Sequence, residues 1–148
     1  MVPLKFGKYN RPLKLSLGLA AFLLGTLSLW PENTIRGCWQ PLTKNLKARG
    51  LVCINFNKIR GVYEGKGKKL YGYFADSKCI SCKGKQKNQK VVGLKILTNL
   101  KQRSGKYHGF VLDPKDGQVY RCAVWREGNT LKVRGYWGAF YETRIWVH

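Results

Sequence analysis

The sequence predicts one small all-β domain behind an N-terminal hydrophobic segment. From residue 36 onward, β-branched and aromatic residues come in short bursts separated by Gly-rich turns. Within several bursts, apolar and polar residues alternate, as in half-buried strands. A chain of 148 residues that is 44% hydrophobic is long and apolar enough for a single packed core.

The first element is the apolar run. Lys5, Lys8, Arg11 and Lys14 precede it, Leu15 to Trp30 carry no charge, and Pro31 with Glu32 end it. A basic start and a short apolar centre make a secretory signal. The run falls short of the ~20 residues a spanning helix needs, although a tilted anchor manages with fewer. Thr26 and Ser28 stand at a spacing that suits cleavage after Ser28, with Leu27 and Leu29 crowding it. Residues 1–31 therefore read as a signal helix, either a cleaved peptide or an uncleaved membrane anchor, and residues 32–148 as the domain. The expected location is outside the cytoplasm, periplasmic or secreted. Gly37-Cys38 superficially suggests a lipidated cysteine, but Arg36 and several polar residues separate it from the apolar run.

Nine strand segments follow: 36–40, 51–57, 61–64, 70–75, 91–97, 107–112, 119–126, 131–137 and 141–147. Glu64-Gly65-Lys66-Gly67, Asp113-Pro114-Lys115-Asp116-Gly117 and Glu127-Gly128-Asn129 read as turns. Residues 61–75 and 107–147 then form successive hairpins, and 41–49 is the one stretch with helical potential. In 131–137 the inward set is Leu131, Val133, Gly135 and Trp137. In 141–147 the set Tyr141, Thr143, Ile145 and Val147 shares one face and Glu142, Arg144 and Trp146 the other. Many short strands at this spacing suggest a meander closed into an antiparallel barrel, which leaves no exposed edge.

Charge is the strongest compositional signal. Twenty-eight Lys and Arg face seven Asp and Glu, a net charge of +21. With the four leading basic residues set aside, the domain keeps about +17. Such a surface attracts anionic lipid, lipopolysaccharide and other polyanions. The density peaks between Lys58 and Lys90, and Lys83, Lys85, Lys87 and Lys90 form a candidate basic patch. Interleaved tyrosines there would suit single-stranded nucleic acid, but export argues against that partner. The alternative is a solvated loop face whose aromatics turn into the barrel.

The five cysteines are Cys38, Cys53, Cys79, Cys82 and Cys122. Cys79-x-x-Cys82 has three readings: a structural disulfide, a redox pair activated by neighbouring lysines, or half of a zinc site. A thioredoxin-type pair opens a helix, whereas this one sits in a Lys-rich loop. A single C-x-x-C with no suitably spaced His gives zinc too few ligands, so no metal and no cofactor is expected. An odd number of thiols leaves at least one free or bridged between chains. The chain has no G-x-S-x-G and no P-loop, and its few acids sit largely in turns, so it is not read as an enzyme.

Gly37-Cys38-Trp39, Cys79 to Gly84, Gly93 to Leu97, Leu112-Asp113-Pro114 with Gly117 and Tyr120, and Leu131 to Tyr136 with Gly138 occur in that order. Together they resemble the bacterial secreted domain-of-unknown-function family 2147, over about residues 37–146. The resemblance implies an exported protein with a small antiparallel lipocalin-like β-barrel of about eight strands and no established activity. Two places depart from the family pattern: Lys90 stands where Pro is usual, and the segment after Gly138 is shortened, with Glu142 where Arg is expected. The G-x-W itself resembles the lipocalin barrel base, where Gly37 would admit the chain and Trp39 would plug the end beneath an arginine. Arg144 is the first candidate for that arginine, although alternation puts it on the outer face, and Arg134 is the second. The function expected is binding of a small or apolar ligand against Phe110, Trp125, Tyr136 and Trp137. The alternatives are a thiol-redox protein using Cys79 and Cys82, and a cationic protein for anionic surfaces.

Overall fold

The computed structural model describes residues 34–71 and 76–148. The signal segment, and Tyr73 and Phe74 of the basic region, lie outside the described residues. Residues 33–148 form one compact unit. Its eight strands are β1 (Gly37–Pro41), β2 (Gly50–Asn57), β3 (Val62–Leu70), β4 (Lys95–Arg103), β5 (Lys106–Asp113), β6 (Gln118–Glu127), β7 (Thr130–Trp137) and β8 (Phe140–Val147). Each pairs antiparallel with the next, and β8 pairs back onto β1, so the sheet is a closed up-and-down barrel. Closure satisfies the backbone of every strand inside this unit and leaves no edge to template aggregation. The hydrophobic core lies within the same unit.

The meander places β1's start and the ends of β2, β4, β6 and β8 at one end of the barrel. This end is closed by fully buried side chains, among them Ile35, Trp39, Ile54, Leu100 and Leu131. The other end is a mouth, surrounded by the connections β1–β2, β3–β4, β5–β6 and β7–β8.

Three expectations need correction. Glu64 to Gly67 is no turn: β3 runs straight through it, and the hairpin of residues 61–75 does not form. The glycines serve close approach instead. A Cβ on Gly65 would lie 3.1–3.2 Å from Leu97 and Val52, and one on Gly67 would overlap the Val91 carbonyl. The true turn is Lys58 to Gly61, where Gly61 N–H donates to the Asn57 carbonyl. Residues 42–49 are likewise not helical; Leu42 bridges Ala48 across a tight turn. Strand β4 starts later than expected, because residues 91–94 turn back to bond β3 through Gly67.

Cys38 and Cys53 face each other directly across β1 and β2 and form a disulfide. Cys79 and Cys82 form a second. Cys122 is the free thiol, buried on the inner face of β6, where burial pushes it up to about 12. Such a thiol stays protonated and inert at neutral pH.

Candidate functional site

The mouth half of the barrel holds a cavity of about 780 Å³. Alternation dictates its wall. Val52 of β2, Ile96 of β4, Val111 of β5, Val133 of β7 and Trp146 of β8 point into it. Gly135 sits between Val133 and Trp137 on the same face, and its missing side chain adds to the space. A Cβ there would meet nothing closer than Val111 at 3.8 Å. The volume and the apolar wall are those of a site for one small organic molecule.

Charged groups converge where the cavity opens. Arg144 lies 3.8 Å from Asp113 and 3.5 Å from Glu142. Both contacts are at or beyond hydrogen-bond range, so the guanidinium, which lines the cavity, is steered by charge. Asp116 accepts the hydroxyl proton of Tyr120, which also lines the cavity. That bond pushes the phenol above its ordinary value. The arrangement can hold an apolar body and orient one polar group at its end.

The β3–β4 connection covers one side of the mouth. Within its described part, Cys79 N–H donates to Gln89 and Val91 N–H donates to Ser77, so the segment folds back on itself. Cys79 and Cys82 are buried and belong to the hydrophobic core, and Ser77, Lys78 and Val91 line the cavity. The segment rests on the β5–β6 turn at Gly117. A Cβ on Gly117 would overlap the Ser81 backbone, and its φ of +70° also favours glycine. The disulfide thus shapes a cavity wall. A redox pair needs an accessible attacking sulfur, whereas Cys79 is 0% exposed.

At the closed end, Trp39 is fully buried, and its indole N–H donates to the Ile35 carbonyl at 3.0 Å. The His148 ring stacks on it with centroids 3.9 Å apart. Gly37 enters this end with φ +132°. The arginine over Trp39 is Arg126, its guanidinium carbon 5.6 Å from the ring, within cation–π range.

The sequence nominated Arg144 and Arg134 for that position, and the structure places both elsewhere. Trp146 is buried inward, so its same-face neighbours Glu142 and Arg144 face the cavity rather than the outside. Arg134 lies on the outer face, over Trp125 and Tyr141 at 5.2 and 4.3 Å, and donates to Thr143. Arg126 is next to last in β6, a strand that ends where β1 begins.

Of the four aromatics nominated for the ligand, Trp137 lines the cavity mouth. Phe110 and Tyr136 are exposed on the outer face, opposite in parity to Val111 and Gly135. Trp125 lies outside too, between Lys106 and Arg134. Trp146 was the aromatic the sequence reading missed, and its parity with Arg144 was the available signal. Lys83, Lys85, Lys87 and Lys90 are exposed around the 3₁₀ turn at Gly84–Gln86, on the connection that borders the mouth. Among the described residues, no group of three His, Cys, Asp or Glu is placed to hold a metal ion.

A family model described as an uncharacterized protein conserved in bacteria, DUF2147, matches residues 37–148. A solved structure titled "Protein HP1028 from the human pathogen Helicobacter pylori belongs to the lipocalin family" superposes with a TM-score of 0.65. The two chains are 20% identical, and the match covers 78% of this chain and 82% of that one. No curated protein matches. The fold is therefore lipocalin-like, and the structural likeness extends to the fold alone.

Proposed function

We propose that this chain, which belongs to the bacterial family DUF2147, is a binding protein that holds one small, largely apolar molecule in the mouth cavity of its barrel. The single observation behind this reading is the cavity itself: about 780 Å³, with a largely apolar wall and a charged group of Arg144, Asp113 and Glu142 in its lining. A purely structural barrel of this size would fill its interior with side chains. Here side chains fill the closed half and stop short of the mouth. Gly135, which lines the cavity, keeps bulk out of it.

In this reading the protein is a carrier or sensor rather than an enzyme. Arg144, Asp113 and Glu142 orient a ligand's polar end rather than transfer protons. The barrel works outside the cytoplasm, periplasmic or secreted, where its two disulfides persist.

Titration with the uncharged fluorophore N-phenyl-1-naphthylamine tests the reading. Its emission should rise and saturate at one molecule per barrel, and an aliphatic alcohol of medium length should displace it. A flat titration would remove the cavity as a ligand site.

A further inference from the structure

The four mouth connections share a surface chemistry that the cavity does not explain. Leu46 of β1–β2, Ile80 and Val92 of β3–β4, and Phe140 and Trp137 of the β7–β8 hairpin are all exposed. Leu46, Ile80 and Phe140 each keep 68–72% of their surface in water. Val119 adds a further exposed apolar group beside the β5–β6 turn. Lysines are interspersed among them. Lys44 and Lys47 stand on the first connection and Lys115 on the third. The second carries Lys78, Lys83, Lys85, Lys87 and Lys90, all exposed. Two of the four acids nearby are committed to the β5–β6 turn. Asp113 accepts the Lys115 N–H, and Asp116 accepts the Gln118 N–H and the Tyr120 hydroxyl. Among the described residues the closed end exposes fewer such groups, Ile59 and Phe56, beside Lys58 and Arg60 of the β2–β3 turn.

We infer that the mouth end of the barrel docks on an anionic lipid surface, its apolar side chains entering the interface and its lysines pairing with headgroups. A rim that is both apolar and cationic is complementary to the boundary of an anionic bilayer. A nucleic-acid backbone would use the lysines and leave Leu46, Ile80 and Phe140 in water. Docked this way, the cavity opens toward the membrane, so an apolar molecule passes between lipid and barrel without crossing water. The docking rests on the rim alone and stands whether or not the cavity is loaded.

Co-sedimentation of the 33–148 unit with vesicles tests it, because that unit holds the whole barrel, both disulfides and the core. Vesicles of phosphatidylcholine with phosphatidylglycerol should bind it, and phosphatidylcholine alone should not. A lysine near an anionic surface contributes roughly fivefold in affinity. Replacing Lys83, Lys85, Lys87 and Lys90 with Ser should therefore weaken vesicle binding by at least about tenfold. Ile80→Asp with Phe140→Asp should weaken vesicle binding and leave retention of a single-stranded DNA probe unchanged. Ile59→Asp with Lys58→Ser, at the closed end, should change neither. The inference is overturned if anionic vesicles fail to bind at low salt, or if the closed-end variant is the one that loses binding. It is also overturned if the apolar pair proves indifferent while the lysine variant weakens DNA and vesicles alike, since the rim would then be a plain polyanion surface.

Discussion

Glu64 is the buried charged residue of the barrel wall, at 8% exposure, and it shows how a single side chain is made tolerable. Burial alone would raise its pKa. Hydrogen bonds from Lys95 at 3.1 Å and Asn57, with the charges of Lys95 and Arg60, outweigh that and hold it below the usual carboxylate range. A carboxylate held low in the folded state adds stability above its unfolded pKa of about 4.3, and loses it as pH falls through the folded value. Glu64→Gln should therefore cost roughly 1–2 kcal/mol at neutral pH, since its cationic partners are half exposed and screened. The gap to the parent should close on acidification, as read by urea unfolding at a series of pH values. A constant gap across that range would remove the charge network as its cause. Trp39 was legible as the barrel plug from Gly37-Cys38-Trp39, whereas its arginine was not. Choosing among Arg126, Arg134 and Arg144 needs each strand's end and inward parity together, and the parity of β8 was not legible.

Among the elements, β5 to β8 were legible nearly to the residue, because their β-branched and aromatic bursts are separated by turns that each carry Gly, two of them with Asp or Asn as well. Strand β3 was not. Glycine marks both a turn and a place where another chain segment presses against a strand, and only the fold distinguishes the two. In β3 the pressing segments are β4 and the returning residues 91–94. The inward face of β7 was legible, and that of β8 was not. Outside the barrel, β8 presents Tyr141 and Ile145, so an apolar stripe faces water and imitates a core face. The Cys79–Cys82 bridge could be proposed from spacing. The Cys38–Cys53 bridge required the β1–β2 register, which pairs the two directly. That bridge spans 15 residues of sequence, for which loop-closure entropy predicts about 3 kcal/mol. Replacing both cysteines with Ser should lower the unfolding free energy by about that amount. The Trp39 environment should survive, as seen in near-ultraviolet circular dichroism. A loss below about 0.5 kcal/mol would mean the β1–β2 register is held by the ladder alone.

At the scale of the whole molecule, two halves of one barrel do different work. The closed half is packed around Trp39, Leu100 and Leu131. The mouth half sacrifices packing, since an empty apolar space costs stability in proportion to its volume. Closure of an antiparallel meander was legible in the sequence, although nine strand segments were read where eight form, whereas the hollow was not. It depends on where the β3–β4 connection rests and on which inward positions hold glycine, and both are properties of the assembled barrel. The most direct test is therefore to fill the hollow from within. Gly135 faces the cavity, has room for a side chain, and sits in β7, where leucine is acceptable. The measurement is N-phenyl-1-naphthylamine binding by Gly135→Leu beside the parent protein, with circular dichroism to show that both are the same barrel. The account predicts an unchanged spectrum and binding weakened by at least about tenfold, because the leucine occupies the ligand's space. Undiminished binding by a correctly folded Gly135→Leu protein would contradict it.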